Sequence, residues 1–268
     1  MRRRLVLFVL AVPVLLAQSD TQAPQLTLEQ KEQFLVRATV KMTHAAKKGI
    51  TGTVRATLSD GTITHDVSIQ RIDEEKAKFE GTNGTELNFR DTYKFNIAAY
   101  RLAKRLGLSS RIPPSVERSF RGTTAAWTWW VEDVQGDDID RIKKKIVPPD
   151  KDAWSRQYLI MQVFDELIFN TDRNATNILY DKDWRLWMID HTRAFRVSTS
   201  LRAPKSLEKC DRVLLTKMKE LREDTVRKEL SRWLRPMEIK GLLARRDKIV
   251  AFFEKGGDAH LYDYLPPQ

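Results

Sequence analysis

Two short runs in the first third of the chain carry apolar residues at every second position. Such alternation over Thr51–Leu58, and again over Thr62–Ile72, is typical of half-buried β-strands. The residues between the two runs, Ser59–Gly61, form a turn signal. The pattern therefore predicts a β-hairpin over residues 51–72.

Helical spacing of apolar residues marks other segments. Thr27 and Gln30 have the spacing of a capping box, which starts a first helix. One face of Thr92–Leu106 is apolar, which predicts an amphipathic helix, whereas Asp152–Phe169 is apolar on most sides, which predicts a buried one. The tail from Leu214 to Lys255 predicts two or three further helices.

The order of these elements indicates an α+β protein with two parts. Residues 73–91 are polar and contain glycine, which predicts a loop, and the Trp-rich run Thr124–Val134 predicts a strand. A polar and basic stretch then separates the β-rich part from the helical part. We therefore expect a β-rich N-terminal lobe over 27–134 and a mainly helical C-terminal lobe over 135–265.

The first residues have the pattern of a signal peptide. Arg2–Arg4 precede a short apolar run, Leu5–Leu16, and Ala17–Ser19 offers small residues at a spacing suited to cleavage. The apolar run is shorter than the ~18 residues that a membrane-spanning helix needs. We expect a leader over 1–19, a linker over 20–26, no transmembrane helix after removal of the leader, and export to the periplasm or the extracellular space. An uncleaved membrane anchor is the alternative.

Composition narrows the class of protein only slightly. The 268 residues carry a net charge of +11, and subtracting the three Arg of the leader leaves +8. A basic surface favours phosphate-bearing partners, but the basic residues alternate with acidic ones, so a nucleic-acid-binding protein is not indicated. Cys210 is the sole cysteine, which excludes an internal disulfide, and the four His have no metal-ligand spacing.

The strongest chemical signal follows the predicted buried helix. Asp172 lies in a short polar loop, Asn177 comes five residues later, and Asp190 follows a predicted hairpin that starts at Ile178. Because a hairpin places its two ends side by side, Asn177 and Asp190 are expected to be neighbours. Carboxylate and amide oxygens are ligands that Mg²⁺ prefers, and a further carboxylate can accept a proton from an attacking hydroxyl. This layout is that of phosphoryl transfer.

The segment Asn170-Thr-Asp-Arg-x-x-x-Asn177, followed by Ile189-Asp190, resembles the catalytic and metal segments of atypical kinases. Phosphatidylinositol kinases, HipA-type kinases, CotH and the secretory-pathway casein kinases share this form, and the resemblance is strongest to the last group. It extends from the predicted hairpin to about Leu214. The resemblance implies a two-lobed protein-kinase-like fold that uses ATP with Mg or Mn. It also implies Asp172 as the catalytic base, with Asn177 and Asp190 as metal ligands.

The N-terminal lobe departs from the pattern of that family. The family has a Lys on the second hairpin strand and a Glu on the following helix, and here Gln70 and Asn96 occupy those positions. Such a pair can form a hydrogen bond but supplies no positive charge. The candidates to replace the missing charges are Arg71, Lys76 or Lys78 for the Lys, and Glu86 or Asp91 for the Glu.

Other candidate nucleotide contacts are less specific. Gly49 and Gly52 suit a phosphate-covering loop because glycine lets the backbone approach a ligand, although they suit an ordinary turn as well. Glu132 is expected at the hinge between the lobes, where the adenine would lie. Lys143–Lys145 is typical of a solvated face and, if functional, would attract an acidic substrate.

Two functions remain open from the sequence. The first is an exported phosphotransferase that uses ATP and a divalent metal to modify a hydroxyl of a protein, sugar or lipid. The second is a pseudokinase that binds a nucleotide or a partner as a scaffold, because the Lys and Glu of the N-terminal lobe are replaced. Use of another nucleotide, or transfer of a nucleotidyl group, is a variant of the first.

Overall fold

A computed structural model describes residues 26–45, 53–81 and 84–266. The predicted leader, most of the predicted linker, and both Gly49 and Gly52 lie outside these residues. The strands are, in chain order, β1 (Thr39–Ala45), β2 (Val54–Ser59), β3 (Thr64–Gln70), β4 (Asp73–Gly81), β5 (Gly84–Thr92), β6 (Ser115–Phe120), β7 (Thr123–Trp129), β8 (Val134–Asp137), β9 (Ile178–Asp181), β10 (Leu186–Met188), β11 (Cys210–Asp211) and β12 (Leu261–Tyr262). The helices are α1 (Leu28–Arg37), α2 (Lys94–Arg105), α3 (Asp138–Lys143), α4 (Lys151–Ile168), α5 (Arg212–Lys219), α6 (Glu223–Leu230) and α7 (Pro236–Gly256).

The N-terminal part is built on an antiparallel sheet with the strand order β1-β2-β3-β7-β6. The predicted hairpin is its β2–β3 pair. Helix α1 begins with the predicted capping box, in which the Gln30 amide donates to the Thr27 hydroxyl at 3.2 Å. Phe34 of α1 packs edge-on against Trp129 of β7 at 5.6 Å between ring centroids, so the helix covers one face of the sheet.

The predicted loop over 73–91 is wrong, because these residues form the antiparallel hairpin β4–β5. Most of β4 is exposed, so neither of its faces required alternating apolar residues. The hairpin is held by its own backbone pairing, from Asp73 opposite Thr92 to Gly81 opposite Gly84, and by the stacked rings of Phe79 and Phe89. The base of the hairpin leads directly into α2.

The C-terminal part is mainly helical around the buried helix α4. Apolar residues of α4, α5, α6 and α7 share one core, and Ala98 and Leu102 of α2 belong to the same core. A small antiparallel sheet with the order β10-β9-β8 lies beside α4 and carries the predicted hairpin as β9–β10. The predicted α+β class, with a β-rich N-terminal part and a helical C-terminal part, is confirmed. The boundary near residue 134 stays a prediction.

Within the described ranges, none of the helices combines the length and the apolar character needed to cross a bilayer.

Arg245 ties α7 to the segment that follows the predicted metal-binding Asp. The side chain is fully buried, and its guanidinium donates to the carbonyl oxygens of Leu167 and Arg196, both at 2.9 Å, and of Ser198. We expect Arg245→Met to lower the free energy of unfolding by about 2–4 kcal/mol, because several buried carbonyls lose their donor. Urea denaturation measures this.

Lys248→Met is the matched control for that substitution. Lys248 is on the same helix and donates to the Thr199 carbonyl at 2.9 Å, but it does so at the surface. We expect a change within about 0.5 kcal/mol. Equal effects of the two substitutions would show that the buried contacts of Arg245 do not stabilise this segment.

Candidate active site

Helix α4 ends in a tight cap that leads into the Asp172 loop. Phe169 adopts a left-handed conformation with φ of 50°, and the Asn170 amide donates back to the Asp165 carbonyl at 2.9 Å. The Asn170 side chain donates to the Asp165 carboxylate at 3.0 Å and accepts from the Asp172 amide at 3.1 Å. The direction of the loop is therefore set by the end of the buried helix.

The guanidinium of Arg173 holds this loop against the ends of the β9–β10 hairpin. It donates to both carboxylate oxygens of Asp165, at 2.8 and 3.1 Å. The same group donates to the carbonyl oxygens of Asn177 at 2.8 Å and Ile189 at 2.7 Å. The Ile189 amide also donates to the Asn177 carbonyl at 3.1 Å. Four contacts from one side chain thus join α4, the loop and the hairpin.

Asp172, Asn177 and Asp190 are brought together by this arrangement. A short 3₁₀ turn, Ala175–Asn177, lets the Asn177 side chain donate to the Asp172 carbonyl at 3.2 Å. Asp190 directly follows Ile189 and has a φ of 54°, a conformation that is uncommon outside glycine and that recurs at functional sites. The Asp190 carboxylate accepts from the Thr192 hydroxyl at 3.1 Å.

Two other carboxylates interact electrostatically with Asp190. Burial raises the pKa of the Asp172 carboxyl, Arg193 opposes the rise, and the charge of Asp190 adds to it. Burial likewise raises the pKa of Asp91 at the end of β5, and Asp190 adds to that rise too. Asp190 therefore lies within electrostatic reach of both groups. The cations that act on Asp91 are Arg193 and Arg196.

Gln70 and Asn96 form the hydrogen-bonded pair that their sequence positions allowed. The Asn96 amide donates to the Gln70 carbonyl oxygen at 2.5 Å, and both side chains are buried. The Asn96 carbonyl oxygen accepts from the His191 backbone amide at 2.7 Å. A neutral amide chain thus links β3, α2 and the residue next to Asp190.

His191 is a neutral part of the same scaffold. Burial and the charge of Arg173 lower the pKa of its ring well below the usual range. Its Nε2 lies 2.9 Å from Nη2 of Arg173, and a guanidinium can only donate, so Nε2 accepts and the ring proton is on Nδ1. His191 therefore positions Arg173 and carries no charge of its own.

The three candidate replacements for the missing Lys lie on the β4–β5 hairpin or just before it. Arg71 is exposed, and Lys76 and Lys78 pair with Glu74 and Glu80 on the outer hairpin. A cation that does act on Asp172 and Asp91 is Arg193, three positions after Asp190, and the sequence pattern did not single it out. The sequence contained it in the Asp190–Phe195 segment, but no periodic pattern showed which way it faces.

Glu86 and Glu132 differ in where the structure places them. The Glu86 carboxylate lies 2.8 Å from Arg196 and 3.5 Å from Arg193, so it belongs to the surroundings of the site. Glu132 follows β7, is 62% exposed, and lies 3.2 Å from the ring of His65. The structure therefore places Glu132 at the surface of the connection between the two parts.

The donor set suits a metal that is shared with a phosphate. In the described part of the chain, no three His, Cys, Asp or Glu side chains are gathered closely enough to form a metal cage. Mg²⁺ is usually held by one or two carboxylates together with substrate phosphates and water. Asp190 and the Asn177 amide match that limited protein contribution.

The chain is similar to known proteins in its three-dimensional structure, whereas the sequence comparisons find no match. No protein-family model matches the chain, and no curated protein matches it in sequence. The structure of hydra Fam20 with sugar superposes with a TM-score of 0.66, covering 88% of this chain and 92% of that chain at 16% identity. The protein has an atypical protein-kinase-like fold. The fold expected from the Asn170–Asn177 motif is thereby confirmed.

A second similar structure is the Helicobacter pylori proinflammatory kinase CtkA. Its TM-score is 0.49 at 8% identity, and the match covers 80% of this chain and 92% of that chain.

Arg173→Lys tests whether the forked guanidinium holds the site together. Lys keeps the charge but cannot bind Asp165 through two atoms and also reach two carbonyls, so we expect the free energy of unfolding to fall by about 2–4 kcal/mol. Chemical denaturation measures the change.

Arg185→Lys serves as its control, because Arg185 is 44% exposed and lies 3.8 Å from the Asp181 carboxylate. We expect it to change stability by less than about 0.5 kcal/mol. A loss for Arg173→Lys that is no larger than this would contradict the central position given to Arg173.

Proposed function

We propose that this protein is a phosphotransferase that uses ATP and a divalent metal, Mg²⁺ or Mn²⁺, to phosphorylate a hydroxyl acceptor. The observation that carries the proposal is the convergence of Asp172, Asn177 and Asp190 around Arg173, at the end of a buried helix in a kinase-like fold. Fold alone does not fix activity, so the proposal depends on the chemistry of these side chains.

Asp172 is the proposed base. As the acceptor oxygen bonds to the γ-phosphorus, the hydroxyl proton passes to the Asp172 carboxylate, and the bond to the ADP oxygen breaks with its electron pair. Partial burial raises the pKa of Asp172, which increases its affinity for that proton. Asn170 and Asn177 hold the backbone of Asp172, and a side-chain hydrogen bond from Asn174 to its carboxylate opposes the rise in pKa.

Asn177 and Asp190 are the proposed metal ligands. An ion bound there would offset negative charge on the nucleotide phosphates. The positive φ of Asp190 and the hydrogen bond from Thr192 fix the direction of its carboxylate. The backbone pairing of Ile189 with Asn177 keeps the two ligands at neighbouring strand ends.

Arg193 is the proposed contact for the phosphates. Gln70 and Asn96 bring no charge to the site, whereas the Arg193 guanidinium lies 5.4 and 5.1 Å from the ring centroids of Phe79 and Phe89. Its closest carboxylate, Glu86, is 3.5 Å away, which leaves donors free for phosphate oxygens. Gln70 and Asn96 then act as a neutral brace beside the nucleotide.

Acceptor and location are the less constrained parts of the proposal. The hydra Fam20 structure contains a sugar, so a sugar hydroxyl is the first acceptor to examine, before protein and lipid hydroxyls. Export to the periplasm or the extracellular space rests on the Arg2–Arg4 and Leu5–Leu16 pattern. Cell fractionation with antibody detection tests it.

A nucleotide-binding pseudokinase is the second candidate. The neutral Gln70–Asn96 pair favours it, because active kinases of this form place a charged pair there. Both candidates predict nucleotide binding, and only the first predicts a covalent product.

Thermal unfolding with ATP and Mn²⁺ tests the proposed nucleotide site. At one hundred times its Kd, a ligand stabilises the folded state by about 2.7 kcal/mol, which gives a measurable rise in Tm. We expect this rise in the unsubstituted protein and its loss in Asp190→Ala. No rise in either protein would contradict nucleotide binding and would favour a pseudokinase that binds a partner instead.

Asp172→Asn separates transfer from binding. We expect it to lower the rate of phosphate transfer from labelled ATP, to water or to a panel of sugars and hydroxyl-containing peptides, by at least about 100-fold. The Tm rise with ATP and Mn²⁺ should remain. Asp183→Asn, in the exposed turn between β9 and β10, should leave both unchanged. Full transfer by Asp172→Asn would exclude Asp172 as the base, and binding without transfer by the unsubstituted protein would favour the pseudokinase.

A further inference from the structure

Asp91 is a buried carboxylate that the proposed mechanism does not use. It lies near the end of β5, where the next residue, Thr92, donates its amide to the Thr192 carbonyl at 3.0 Å. This bond holds the base of the β4–β5 hairpin against the segment that follows Asp190. Asp91 is only 9% exposed, and its Oδ1 has no hydrogen-bond partner among the described residues.

One hydroxyl serves two carboxylates at this point. The Thr192 hydroxyl donates to Asp190 at 3.1 Å, and it also lowers the pKa of Asp91, so it lies close to both carboxylates. A hydroxyl has a single proton, so it cannot donate fully to both acceptors. Two neighbouring carboxylates therefore share less hydrogen-bond donation than their burial requires.

The nearby cations do not make up the difference. Arg196 donates to the Arg90 carbonyl and pairs with Glu86 at 2.8 Å. Arg193 packs against aromatic rings and lies 3.5 Å from Glu86. A buried, unpaired carboxylate is costly, so this part of the site is short of positive charge.

Asn96 is not available as a metal ligand. It occupies the position of the Glu in the kinase pattern, but its carbonyl oxygen accepts from His191 at 2.7 Å and its amide donates to Gln70. Both ends of the side chain are thus engaged in the scaffold. Asp91, by contrast, has a buried oxygen without a hydrogen-bond partner among the described residues, and the charge of Asp190 acts on its pKa.

We propose that Asp91 is a further ligand of the divalent metal ion, acting together with Asp190 and Asn177. The inference rests on the proposed function, because it concerns the same metal site. It assigns the β4–β5 hairpin a role in binding, since the base of the hairpin delivers the ligand. Two carboxylates and an amide remain within the protein share of a site that is completed by phosphate oxygens.

Asp91→Asn tests the inference through two quantities, the metal-free Tm and the affinity for Mn²⁺, of which only the second should fall. Without metal, Tm should stay the same or rise, because the substitution removes a buried charge and its repulsion with Asp190. With a non-hydrolysable ATP analogue, the affinity for Mn²⁺ should fall at least about tenfold, as followed by the electron paramagnetic resonance signal of free Mn²⁺. Tm measured with the analogue and EDTA, in place of Mn²⁺, gives the stabilisation that the nucleotide provides alone.

Asp73→Asn is the matched control on the same hairpin. Asp73 accepts from the Thr92 hydroxyl at 2.7 Å and from Lys94 at 2.8 Å, which is a purely structural set of contacts. This substitution should lower the metal-free Tm and leave Mn²⁺ affinity unchanged.

Three results would decide the matter. Unchanged Mn²⁺ affinity in Asp91→Asn, while Asp190→Ala loses binding, would overturn the role of Asp91 and leave the proposed function intact. A fall in the metal-free Tm of Asp91→Asn like that of Asp73→Asn would also count against it, because it would indicate a structural contact. Failure of the unsubstituted protein to bind Mn²⁺ would contradict the metal site itself.

Discussion

The contacts of Arg173 are the constraint on which the site depends. One guanidinium neutralises Asp165 at the end of the buried helix and satisfies the carbonyls that flank the β9–β10 hairpin. Without it, the loop and the hairpin would each leave buried polar groups unpaired. Because the bonds run to backbone atoms of Asn177 and Ile189, they fix the strand ends without engaging the side chain of Asp190. The groups that we propose to react are thus held by a residue that has no part in the proposed reaction.

The second feature of the site is a neutral brace where kinases of this form have a charged pair. Asn96 bonds to Gln70 on one side and to the His191 backbone on the other, so α2 is still tied to the segment of Asp190. What is lost is the positive charge, and Arg193 is the residue that we propose supplies it. In that proposal, positioning and charge, which one Lys–Glu pair usually combines, are divided between separate residues.

Sequence reasoning recovered those parts of the protein that local rules determine. The capping box of α1, the buried helix α4 and the β9–β10 hairpin follow from spacing alone. The β4–β5 hairpin was missed because β4 is mostly exposed and carries no apolar alternation. Arg193 and Asp91 were not placed, because their contacts join segments about one hundred residues apart, and no local pattern encodes the direction of a side chain across such a gap.

The proposed site is tested most directly by anomalous diffraction from crystals grown with Mn²⁺ and a non-hydrolysable ATP analogue. We expect a Mn²⁺ peak between the nucleotide phosphates and the Asp190 carboxylate, with the Asn177 amide in contact and Asp172 beside the γ-phosphate. A nucleotide bound elsewhere, or one bound here with no metal at Asp190, would contradict the proposed site.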